Sequence, residues 1–177
     1  MANLIAFLWG FAEATLFFII PDVAISVIAL GGYNAGLKAS FYALAGALLG
    51  GGLMYYWGRS HLENVLNIFL KIPAIRPVDL ERVREDLERS GPIAMVWGPI
   101  WGIPYKIYAA YAHLFTSPFV FVLISIPARM VRFVLVALAT PYVMNKIAPN
   151  APLPAQVSIV ILIWTATYAG YFYIKRK

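Results

Sequence analysis

Apolar residues fill five long stretches of this chain, and residues 59–90 are the one polar segment of any length between them. A chain patterned this way lacks the polar side chains to cover a water-facing surface. Of its 177 residues, 62% are hydrophobic and 12% charged, whereas globular domains run about 45–50% apolar and about 25% charged. That excludes an ordinary water-soluble enzyme, a nucleic-acid-binding module and a disordered tail. The excess of 14 Lys+Arg over 8 Asp+Glu is not a nucleic-acid footprint, because membrane proteins gather basic residues in their cytoplasmic segments. With no cysteine and only His61 and His113, no disulfide framework, thiol nucleophile, metal centre or cofactor is expected. His113 reads as an interfacial histidine. The expectation is one all-α integral membrane domain, residues 1–177, with about three transmembrane helices, two opposed re-entrant hairpins and one amphipathic surface helix.

Residues 2–32 would make a helix about 46 Å long, well beyond a hydrocarbon core of about 30 Å. Pro21-Asp22 breaks the stretch, since proline removes a backbone donor and disfavours helix at Ile20. Two half-length helices meeting at that tip fit better. A signal peptide does not: the stretch has no basic leader and carries Glu13. Residues 40–57 have a conventional transmembrane length, with Gly46, Gly50, Gly51 and Gly52 as a close-packing face. In the polar segment, Pro77 suits a first helical turn, and Leu80, Val83 and Leu87 recur at helical spacing. Glu81–Arg84, Arg82–Asp86 and Glu85–Arg89 would pair along its wet face.

Residues 92–113 hold Pro99, Gly102 and Pro104 between apolar and aromatic flanks. Broken backbone at membrane depth is tolerated only where protein or a wet cavity receives it, so a second re-entrant hairpin is expected, with those three residues at its tip. Residues 118–144 form a helix kinked at Pro127, and residues 154–174 a clean span. Trp97, Trp101, Tyr105, Tyr108, Tyr111, Tyr171 and Tyr173 read as an interfacial belt. Six basic residues lie in 59–89 and three in Lys175-Arg176-Lys177, against Lys38 and Lys146 elsewhere in the connections. Both basic regions are therefore expected in the cytoplasm, and the hairpins to open to opposite sides, as in inverted-repeat transporters.

Glu13, Asp22, Lys106, Arg129 and Arg132 lie inside apolar stretches. Each would cost about 2.5–3.5 kcal/mol at the bilayer centre, so they must face inward, pair, or meet water. Three bases against two acids leave one surplus positive charge, enough to attract a phosphate, and Arg129 and Arg132 share a helix face. Glu13, with Phe7, Phe11, Phe17 and Phe18 near in sequence, is the expected proton-exchanging group, ahead of Asp22. The plainer alternatives are that a pair such as Glu13 with Arg132 locks helices together, that Asp22 caps a half-helix, and that Lys106 snorkels to the interface.

These residues resemble the DedA family, also called the VTT or SNARE-associated family, over residues 11–137. Glu13 followed by Pro21-Asp22 is similar to its first hairpin, and Gly46 to Gly50 with Tyr55-Tyr56-Trp57-Gly58-Arg59 to its glycine-rich helix. Pro99, Gly102, Pro104-Tyr105-Lys106 and Arg129-Met130-Val131-Arg132-Phe133 are similar to its second hairpin and basic helix. The chain departs from typical members in having Trp97-Gly98 where they carry an arginine, Lys106 where many have a second arginine, and Gly51 where many are acidic. It is closest to a short branch with a Pro-Tyr-Lys hairpin. The resemblance implies a prokaryotic inner-membrane lipid translocase for undecaprenyl phosphate or a phospholipid, with protons as coupling partner and transport in place of enzymatic catalysis. Alternatives are an ion-independent scramblase, or a non-transporting scaffold, either one a monomer or a homodimer.

Overall fold

A computed structural model describes residues 1–73 and 75–176, without the side chains of Ile100, Lys175 and Arg176. Lys177 and the side chains of Lys175 and Arg176, the expected C-terminal basic cluster, thus lie outside what is described. Eight α-helices follow in order: α1 (Ala2–Thr15), α2 (Asp22–Ala29), α3 (Tyr33–Phe69), α4 (Pro77–Ser90), α5 (Ala94–Trp97), α6 (Tyr105–Tyr111), α7 (Pro118–Ile147) and α8 (Leu153–Arg176). No strand occurs among the described residues. Helices α3, α7 and α8 are long and apolar enough to cross a membrane, so this is an all-helical protein of the integral membrane kind.

Helix α3 is the axis of the fold, and its glycines set how the rest packs. Gly10 of α1 lies against Ala43, Phe11 against Gly46, and Thr15 against Gly50. The contacts advance together, so α1 runs parallel to α3. A side chain on Gly46 would strike the Phe7 carbonyl, which is why the two backbones can approach only where the residue is small. Further along, Gly51 meets the Tyr105 ring and Gly58 the Ala110 carbonyl. Helix α6 is therefore also parallel to α3. As a result α1 ends and α6 begins at one level, beside Gly50 and Gly51. Helix α2 turns back, bringing Ala29 against Gly36 and Ala137. Helix α7 runs antiparallel to α3, tied by Ser40 Oγ donating to the Phe133 carbonyl (3.1 Å) and Tyr55 Oη to the Thr116 carbonyl (2.7 Å).

Several expectations need correcting. The span expected at 40–57 is longer: α3 reaches Phe69, with a non-helical backbone at His61 (φ −150°, ψ 58°) marking its bend. Polar residues after Trp57 continue the helix because their helix propensity is adequate once the apolar face packs. Gly52 faces open space and contributes nothing to the glycine face. Helix α4 starts at Pro77 and buries Leu80, Val83 and Leu87 as expected, but against Val65, Phe69, Ile107 and Tyr108 rather than lipid. Its expected ion pairs are replaced. Arg84 bonds Glu88 (2.9 Å), Arg76 pairs with Asp79 (3.4 Å) at the N-terminus, and Asp86 accepts from Tyr108 Oη (2.7 Å). Helix α7 continues through Pro127 and on to Ile147. Of the expected belt, Trp97, Trp101 and Tyr173 are exposed, whereas Tyr105, Tyr108 and Tyr111 are core residues.

Two apolar clusters result. One joins the lower half of α3 to α4, α6 and Phe121; the other joins Ala6, Ile25, Ala43, Phe133 and Ala137. Helix α8 stands apart, with Val160 as its one buried residue among those described.

Candidate functional site

Between α1 and α2 the backbone leaves helical form over residues 16–21, and its polar groups are met by side chains from elsewhere. Trp9 Nε1 donates to the Ile19 carbonyl (3.0 Å), Lys106 Nζ donates to the Phe17 carbonyl, and Ile20 N–H donates to Tyr168 Oη (2.8 Å). Broken backbone in an apolar setting needs such partners. The second break, residues 98–104, pairs partly with itself: Gly102 N–H donates to the Pro99 carbonyl (3.2 Å) and Ile103 N–H to the Gly98 carbonyl (3.4 Å). Gly102 takes φ +77°, a left-handed turn that suits glycine. Of the expected tip residues, Pro21 precedes α2 at its N-cap, while Pro99, Gly102 and Pro104 lie between α5 and α6. The Lys106–Phe17 bond joins the first break to the first turn of α6, just after the second break.

All five charges expected inside apolar stretches gather here. Arg129 and Glu13 form a buried ion pair in which both guanidinium Nη atoms donate to the carboxylate. The expected partner of Glu13 was Arg132. Arg129, one turn before Arg132 on α7, takes that place. The Arg129 guanidinium also lies over the rings of Tyr105 (4.7 Å) and Phe133 (5.1 Å), one from each apolar cluster. Tyr105 is itself held by Ser125 (2.7 Å). Phe17 and Phe18 are part-exposed, so Tyr105 and Phe133, rather than those two phenylalanines, help seal the pair.

Arg132 is placed differently. Its Nη2 stands 3.0 Å from Asp22 Oδ2, with the Arg132 side chain 33% exposed and the carboxylate 1%. The two are at ion-pair distance but not aligned for a hydrogen bond. Arg132 Nε and Nη2, Arg129 Nε and Asp22 Oδ2 are buried atoms without a hydrogen-bond partner. Asp22 opens α2 but makes no side-chain cap; at that position its charge meets the positive end of the helix dipole. Lys106 is buried and bonded to a carbonyl, so it neither snorkels nor meets a carboxylate in an ion pair.

A cavity of about 200 Å³ opens beside this cluster. Glu13, Lys106, Arg129 and Arg132 line it, with Pro99, Gly102 and Pro104 from the second break and Phe18 and Ile20 from the first. Helix α8 closes the remaining side. Trp164 Nε1 donates to Ser26 Oγ (2.9 Å), Tyr168 Oη accepts from Ile20, and Tyr171 Oη donates to the Gly102 carbonyl (3.4 Å). These residues went unrecognised as a group, although their spacing (i, i+4, i+7) on an otherwise apolar helix is a readable stripe. His113 stays outside the site, bonded to the Ala110 carbonyl (2.8 Å). No model of a known protein family matches this chain, and no curated protein or solved structure does.

Proposed function

We propose that this protein moves an anionic lipid across a bilayer, as a translocase of the DedA type acting on a polyprenyl phosphate such as undecaprenyl phosphate, or on a phospholipid. The observation that carries the proposal is the charge cluster. Three bases and two acids meet beside one cavity, leaving one surplus cation and three guanidinium nitrogens without a hydrogen-bond partner. Such donors, desolvated and set beside a cavity, suit a phosphate. Breaks in the helices at the same place support two opposed re-entrant hairpins, one opening toward each membrane face. The lipid head group enters the cavity and its chain stays in the hydrocarbon. In this scheme Glu13 exchanges the coupling proton: protonation loosens Arg129, and a shift of the paired charges admits or expels the head group.

The alternative of a scaffold has one observation in its favour, since two ion pairs account for four of the five charges. Purified protein in liposomes with labelled lipids separates the readings. Transfer stimulated by a proton gradient is expected; equilibration without one would give an ion-independent scramblase, and inertness toward every anionic lipid a scaffold. The proposed location is a prokaryotic inner membrane with α4 and the C-terminus in the cytoplasm. Cysteine placed at Glu85 and at Lys177 should both escape an impermeant thiol reagent in intact cells, and labelling of one alone would break the opposed arrangement.

A further inference from the structure

A second concavity, also about 200 Å³, runs between α7 and α8. Val136, Ala139, Val143 and Met144 line it from α7, and Val160 and Ile163 from α8. Ser26 and Trp164 close its near end, and Trp164 also lines the charged cavity. One indole, hydrogen-bonded to Ser26, thus stands between the two spaces. Along α7 the order is charge and then grease: Val136 follows Arg132 by one turn, and Met144 lies about 18 Å beyond Arg132 at about 1.5 Å per residue.

We infer that this groove holds the hydrocarbon chain of a single-chain or prenyl phosphate whose head group is bound at Arg132. The identity of the ligand rests on the lipid function proposed above. The occupant is a chain because the walls are almost wholly apolar, the groove lies between two helices apolar enough to cross a membrane, and it adjoins, across Trp164, a cavity whose guanidinium donors lack hydrogen-bond partners. Apolar lining with a few polar groups at one end is the form taken by sites for amphiphiles. Thr140, whose hydroxyl is turned back onto the Val136 carbonyl (2.9 Å), presents no free donor to the groove.

The test uses the full chain in phosphatidylcholine nanodiscs and dodecyl phosphate carrying a diazirine at the end of its chain. After irradiation, adducts should fall on residues 136–144 and 160–164 and be displaced by unlabelled dodecyl phosphate but not by inorganic phosphate. Ala139→Trp, which fills the groove from an exposed position, should cut that labelling about tenfold, the loss expected when about two methylenes leave the groove. Leu138→Trp, a neighbouring exposed position outside it, should leave labelling unchanged. Adducts spread evenly over the exposed Val131, Leu135 and Leu138 would overturn the inference. So would protein–protein crosslinks at 139–143, which would give the groove to a second copy of the chain. If liposomes transfer no lipid while groove adducts persist, the proposed function fails and the groove stands. If transfer depends on Arg132 but the adducts scatter, the function stands and the groove fails.

Discussion

Arg129 and Arg132 sit one turn apart on α7, and each faces a carboxylate from a helix beside the first break, yet the two pairs are closed to different degrees. Glu13 and Arg129 are both buried, joined by two donors and roofed by Tyr105 and Phe133. Asp22 is equally buried, but Arg132 is a third exposed and its nearest donor is misaligned. The first pair ties α1 to α7 for as long as Glu13 is ionised. The second keeps more donors in reserve: Arg132 Nε and Nη2, against Arg129 Nε alone, lack a hydrogen-bond partner, and Arg132 brings them to the cavity that both arginines line. Position on one helix face did not make the two arginines equivalent; the neighbours of each did.

The largest effect should come from opening the closed pair. Glu13→Gln or Arg129→Ala leaves a buried partner uncompensated, at a cost of about 3–5 kcal/mol. Either variant should lower the melting temperature sharply, and the apolar double variant, Glu13→Leu combined with Arg129→Met, should restore most of it. Any Glu13→Gln protein that does assemble should transport with a flat pH profile. Normal melting together with an unchanged profile would erase the distinction between the pairs.

A smaller stability effect and a larger transport effect are expected at Arg132. Arg132→Ala should abolish transfer in liposomes. Arg132→Lys keeps the charge opposite Asp22 but loses the planar fork, so it should purify and melt normally while transfer falls about ten- to a hundredfold, the worth of one charge-assisted hydrogen bond. Full transfer by Arg132→Lys would reduce the site to a point charge. The smallest effect belongs to Asp22→Asn, which should slow transfer a fewfold with its pH profile intact; a displaced profile would move proton exchange from the closed pair to the open one.

Where the helices break, and which charges lie inside the apolar stretches, could be read from the chain because proline, glycine and charge each stand out there. Pro21, Pro99, Gly102 and Pro104 mark the two breaks, and Glu13, Asp22, Lys106, Arg129 and Arg132 all reach one place. Which acid meets which base could not be read. That depends on how far α1 slides along α3, and the stop is set by Gly46 and Gly50 against backbone, a contact between residues distant in sequence. The aromatics misled for a different reason. A tyrosine at an interface and a tyrosine in a core satisfy the same need, an apolar body with a partner for its hydroxyl, so Tyr105 and Tyr108 read as belt until Ser125 and Asp86 were found beside them. The end of α3 is not legible because the composition turns polar after Trp57 while the bend at His61 interrupts the helix without ending it.

Helix α8 buries one residue among those described and is attached to the rest by the polar stripe of Trp164, Tyr168 and Tyr171. Hydrogen bonds between helices in lipid average about 0.6 kcal/mol each. Bonds that are each this weak make α8 the wall of the cavity that yields most readily. A wall fastened in this way parts without unfolding the helices behind it, and its parting would open the charged cavity sideways, along the face that α8 covers.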